Sequence, residues 1–167
     1  MVETSFDIKG PLAWLPAGLI SWYAPEGTPV ALVTSWLALI GGKGPRIRTA
    51  WHGRQDPLSR FWPGGDFVLN VPSQAGLQDV QRAMERGCLC LTAHDEFPLR
   101  SASGIAAVAP RLLDCVIQIE CIGGQLVDAG SDVELCGEVV RIHRDRIVIN
   151  PADLPDLCAI NPLSPIM

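Results

Sequence analysis

The segment that most constrains the fold is Val30 to Ile40, an uncharged and mostly aliphatic run held between Pro29 and Gly41-Gly42. A membrane-spanning helix needs about 20 apolar residues, and this run is far shorter. Its Val, Leu and Ile content and its proline and glycine boundaries predict one buried β-strand. Similar short segments follow along the chain. Arg46 to His52 comes after the glycine-rich turn, and Asp66 to Val71 stops at Pro72. Between Cys115 and Cys121 the side chains alternate, with Cys115, Ile117, Ile119 and Cys121 on one face and Val116, Gln118 and Glu120 on the other. Val133 to Ile142 and Arg146 to Asn150 read as a pair joined near Arg144-Asp145, with a bulge at Gly137.

Helical signals are few. Leu77, Val80 and Met84 recur at helical spacing, with Gln78, Asp79, Gln81, Arg82, Glu85 and Arg86 on the polar side and Gly87 as the stop. A weaker helical segment follows Pro151. Strands do not alternate with helices, which disfavours a doubly wound parallel sheet. The expectation is a mainly β chain of the α+β class: one domain over residues 1–167, with a closed or sandwiched antiparallel sheet and one or two peripheral helices.

Charge narrows the partners. The formal net charge is −5, with only Lys9 and Lys43 as lysines, so there is no broad basic surface for nucleic acid. The uncharged stretch from Pro11 to Ala24 is interrupted by Pro16 and ended by Pro25. Glu3 and Asp7 stand where a signal peptide carries basic residues. Neither a membrane anchor nor an export signal is expected. The six cysteines, at positions 88, 90, 115, 121, 136 and 158, include one close pair, Cys88 and Cys90. A structural zinc site needs two such pairs. No metal is expected, and the cysteines read as reduced thiols of a cytoplasmic protein, with Cys115 and Cys121 acting as small hydrophobes.

Familiar catalytic motifs are missing. Gly41-Gly42-Lys43-Gly44 lacks the spacing and the Ser or Thr of a phosphate loop, and it reads as a hairpin turn. There is no G-x-S-x-G elbow and no histidine pair at metal spacing. His94 and His143 sit at loop or strand-end positions where solvation is the default reading.

Three segments, taken in order, carry a resemblance. They are Pro29-Val30-Ala31-Leu32-Val33-Thr34-Ser35, Asp66-Phe67-Val68-Leu69-Asn70-Val71-Pro72-Ser73, and Ile119-Glu120-Cys121 with Gly137-Glu138-Val139. Together they resemble the flavin reductase-like family, whose fold is the FMN-binding split β-barrel, over roughly residues 25 to 150. The resemblance implies a homodimer with one FMN per subunit near the dimer interface. It also implies a pairing with NAD(P)H or another electron donor. The chain departs from the family in a short stretch from Trp36 to Asp66 and in carrying Arg82, Arg86 and Arg100 where a Lys is common. It also lacks an aromatic tail after Pro162-Leu163.

FMN requires anion donors for its phosphate, polar groups for the ribityl chain and apolar walls for the ring. The cofactor-binding set implied here is Thr34, Ser35, Thr49, Ala50, Trp51, His52, Arg54, Ser59, Arg60 and Asn70. Arg54 and Arg60 suit the phosphate, with Ser59 at a helix start near Pro57. Thr34, Ser35 and Thr49 suit the ribityl chain or ring edge, and Trp51 suits the ring wall. Composition alone reads the same stretch as a solvated strand edge with a core tryptophan. No catalytic residue is assigned, because in flavin reduction the cofactor itself accepts the hydride. Three functions are carried forward: an NAD(P)H-dependent flavin reductase, an FMN-bound electron carrier for redox protein partners, and a flavin-free binding barrel.

Overall fold

The structure is a computed structural model, and it describes residues 13–14, 18–34, 36–40, 44–52, 56–72, 89–90 and 100–144. Its strands are β1 (Ala13–Trp14), β2 (Gly18–Tyr23), β3 (Pro29–Thr34), β4 (Trp36–Ile40), β5 (Arg46–His52), β6 (Phe67–Pro72), β7 (Leu89–Cys90), β8 (Ser101–Ser103), β9 (Pro110–Leu112), β10 (Cys115–Ala129) and β11 (Asp132–Arg144). A 3-10 turn covers Asp56–Arg60. Among the described residues, nine strands form one sheet in the order β1-β4-β5-β11-β10-β6-β2-β3-β7, and β8 pairs with β9 apart from it. Every pairing is antiparallel.

Four strands separate β3 from β5 in that order, yet the two meet in space. The Thr34 and Thr49 hydroxyls bond to each other, and Trp51 Nε1 donates to Val33 O at 2.7 Å. The sheet therefore curls until β3 faces β5, and side chains close the seam between them instead of a backbone ladder. Inside the curl sit Ile20, Trp22, Leu32, Ile47, Phe67, Leu69, Ile119 and Leu135, all buried. Each such side chain contributes roughly 1.5–3 kcal/mol on leaving water, which is why these strands read as nearly continuous apolar runs.

The structure corrects several expectations. Val30 to Ile40 is not one strand: β3 ends at Thr34 and pairs with β2, whereas β4 starts at Trp36 and pairs with β5. An apolar run buried on both sides of a corner carries no periodicity that would betray the corner. Strand β2 went unpredicted for the same reason, since five of its six residues are fully buried. The strand expected from Cys115 to Cys121 continues to Ala129 and turns back through Gly130-Ser131 into β11. Gln118 and Glu120, expected on a polar face, are buried, because the segment around β8 and β9 covers them.

The pairing irregularity expected at Gly137 is present. Ile122 opposes Glu138 and Gln125 opposes Cys136, so Gly123 and Gly124 both face Gly137. A methyl group on Gly137 would stand 2.4 Å from Phe67 Cε1, so the ring requires glycine there. The strands on either side of the glycine-rich segment pair antiparallel, with Ile40 opposite Arg46, while residues 41–43 of the expected hairpin turn lie outside the described residues. The helices expected at Leu77 to Gly87 and after Pro151, and the strand Arg146 to Asn150, lie outside the described residues. Among the described residues, no helix is long and apolar enough to cross a membrane.

Candidate functional site at the barrel seam

Strand β5 has a regular two-residue rhythm: Ile47, Thr49 and Trp51 are buried, whereas Arg46, Arg48 and His52 are exposed. This alternation sends Thr49 and Trp51 into the seam and keeps the charges outside. Thr34 comes to the same place from the end of β3, fully buried, with Oγ1 also 3.5 Å from Ala50 O. Thr34, Thr49, Ala50 and Trp51 are thus one cluster, with His52 at its outer margin. His52 Nδ1 lies 3.0 Å from Asp132 Oδ1. Ser35 and Arg54 flank the cluster in sequence and lie outside the described residues.

The other residues of the implied set go elsewhere. Arg60 forms an ion pair with Glu26 in the turn between β2 and β3. That turn is at the far end of the hairpin from Thr34, since Tyr23 pairs with Pro29 and Gly18 with Thr34. Ser59 is exposed on the 3-10 turn. Asn70 is built into the barrel wall: Nδ2 faces Leu19 O at 3.1 Å, Ser21 Oγ at 2.8 Å and Val68 O at 3.1 Å, and Oδ1 accepts from Leu112 N at 2.8 Å. Arg48 reaches Glu134 of β11, with Nε at 2.8 Å from Oε2. The arginines of β5 are exposed, but β5 is not the strand edge that composition alone suggested: it pairs with β4 and β11, and Arg48 is held by Glu134.

A polar centre that sequence reasoning missed lies under β8 and β9. Glu120 is fully buried, and its carboxylate accepts the backbone N–H groups of Ile105 (3.0 Å), Ala106 (2.6 Å) and Ala107 (2.7 Å). His143 Nε2 bonds to the same carboxylate, so His143 is a structural partner and not the solvated residue expected. Burial pushes the Glu120 carboxyl up, but the three backbone donors and His143 together hold it below the ordinary value. Gly104 makes the tight loop feasible, because a Cβ there would stand 2.2 Å from Ala107 O. The only signal in the sequence was a carboxylate in the middle of an apolar strand, a position that charged groups occupy only when fully bonded.

No family model matches the sequence, and no curated protein matches it. Solved structures do. Flavoredoxin of Desulfovibrio vulgaris superposes with a TM-score of 0.68 at 19% identity, over 96% of this chain and 86% of that one. A split-barrel protein of Shewanella frigidimarina, assigned to the flavin reductases, gives a TM-score of 0.74 at 15% identity over 93% and 80%. The chain has their split-barrel fold. The NADH:FAD oxidoreductase SgcE6 of Streptomyces globisporus shares this split barrel with a TM-score of 0.61 at 16% identity, over 80% of this chain and 72% of that one. These proteins share the split barrel with this chain, whose seam involves Thr34, Thr49 and Trp51.

Proposed function

We propose that this split barrel binds FMN at the β3–β5 seam and works as an NAD(P)H-dependent flavin reductase in homodimeric form. The observation that carries the reading is the seam itself. Within a fold shared with flavin proteins, it gathers two hydroxyls, a peptide carbonyl and an indole where β3 meets β5, with an imidazole on the outer face at the end of β5. That donor set suits a ribityl chain and the edge of a flavin ring. In the proposed site Thr34, Ser35 and Thr49 address the polar chain, Trp51 backs the ring, and His52 bonds at its margin. Arg54 takes the phosphate, whereas Ser59 and Arg60 stay at the other end of the β2–β3 hairpin, where Glu26 holds Arg60. Bound flavin supplies the two-electron acceptor, so the protein's part is to hold and orient it and to keep water from the ring.

A second reading is an electron carrier that holds FMN without a nicotinamide site. The net charge of −5 favours it, since an acidic surface suits docking to basic redox partners. One experiment separates the two. Protein saturated with FMN and desalted is expected to keep the flavin absorption bands, and anaerobic NADH or NADPH is expected to bleach them. Retained bands that do not bleach would leave the carrier. Loss of the bands on desalting would leave a flavin-free binding barrel.

A further inference from the structure

A hollow of about 430 Å³ opens at the end of the β2–β3 hairpin remote from the seam. Trp22, Tyr23, Phe61 and Trp62 line it together with Asp66 and Val108. It lies about five residues from Thr34 along the hairpin, or roughly 17 Å at the usual rise per residue, so it is separate from the proposed flavin site.

Its walls are pre-formed. Trp22 and Phe61 pack edge to face, with centroids 5.9 Å apart and planes at 72°. The turn carrying Trp62 is tied to β10, since Gly64 N donates to Gly124 O and Gly124 N donates to Gly65 O, both at 2.8 Å. The opposite wall is fixed by two carboxylates. Glu120 holds the amides of residues 105–107, and Asp66 Oδ2 accepts the next one, Val108 N, at 2.8 Å. On these rigid mounts two apolar side chains stand in solvent: Trp62 is 63% and Val108 79% exposed. Exposed apolar groups framing a fixed concavity mark a place where something binds.

Charge selects what that is. Aromatic faces carry negative potential, and the charged residue in the lining is an aspartate. No Lys or Arg lines the hollow among the described residues, and Arg60 beside Phe61 is paired with Glu26. The Asp66 carboxylate is only partly buried at the rim, where a cation can reach it. We infer that the hollow is a binding site for a small organic cation with an apolar body, of the quaternary ammonium or N-alkylpyridinium class. Tyr23 and Trp62, the lining rings that are not buried, attract the cation over the base formed by Trp22 and Phe61, and Asp66 supplies the countercharge while its bond to Val108 fixes the rim.

The test uses choline and its uncharged carbon isostere, 3,3-dimethylbutan-1-ol, titrated into the full chain. The tryptophan indole N–H signals are followed by NMR and assigned with Trp62→Ala. Choline is expected to shift the Trp62 signal saturably, with an affinity about tenfold above that of the alcohol. Asp66→Asn keeps an acceptor for Val108 N–H but removes the charge, and is expected to weaken choline at least fivefold while leaving the alcohol unaffected. Trp62→Ala, at an exposed position, is expected to weaken choline without lowering the melting temperature. Equal binding of choline and the alcohol, no saturable shift with choline, or an unchanged affinity in Asp66→Asn would each overturn the assignment.

Discussion

Glu120 shows what one residue does for this chain. Its carboxylate collects three consecutive backbone amides of the loop between β8 and β9, and it anchors His143 as well. Glu120→Gln keeps the shape but brings an NH2 group to a site that needs only acceptors. The expected loss is about 2–4 kcal/mol in chemical denaturation. The pH dependence has a definite sign. The folded carboxyl titrates below its ordinary value of 4.5, so its contribution is complete above that value and is lost as pH falls through the folded value. The variant should therefore lose less stability than the parent on acidification below about pH 4.5. Burial likewise pushes the Cys115 thiol up to about 12, with Asp114 adding to the shift, and raises the Cys121 thiol well above its usual range. Both are expected to ignore a thiol reagent at pH 8 until the chain is unfolded, which a thiol count in native and denaturing buffer checks. The packing of these two cysteines was readable from strand alternation. The fate of Glu120 was not, because its amide donors come from a loop that carries no pattern of its own.

At the level of elements, the strands with a clear rhythm were legible. Strand β5 alternates strictly, and β6 ends at the proline that predicted its end. What stayed hidden was where an apolar run bends. Val30 to Ile40 serves different strand neighbours on its two sides, β2 and β7 before Ser35 and β5 and β1 after it, and hydrophobicity is the same on both sides. Gly137 was legible as an irregularity but not as the seat of the Phe67 ring, since that contact joins residues 70 positions apart. Gly137→Ala places a methyl group against the ring and is expected to cost about 1–3 kcal/mol. Phe67→Leu in the same background should recover part of that cost, and a double-mutant cycle by denaturant unfolding measures the coupling.

For the whole molecule, three ordered segments pointed to the split barrel, and the structural likeness to flavin proteins over most of the chain agrees with them. The candidate site was legible only in part. Thr34, Thr49, Ala50 and Trp51 do converge, but Asn70 is held by the barrel and Arg60 by Glu26, partners that no local spacing reveals. If FMN binds the native state alone, added FMN should raise the melting temperature in a concentration-dependent way. Arg54→Ala should reduce that rise, with at least a tenfold loss of FMN affinity. An unchanged rise would place the phosphate elsewhere. Light scattering on the same samples is expected to give twice the chain mass of 18.0 kDa, as proposed for a homodimer.

The seam between β3 and β5 has one more consequence. A ladder would fix the distance between two strands at the spacing that peptide hydrogen bonds allow. Here, among the described residues, side-chain bonds of Thr34, Thr49 and Trp51 set it. The calibre of the gap is therefore encoded in three side chains and can drift by point substitution while the topology stays the same. A lineage can widen or narrow such an opening, and so change the molecule it admits, without having to invent a new fold.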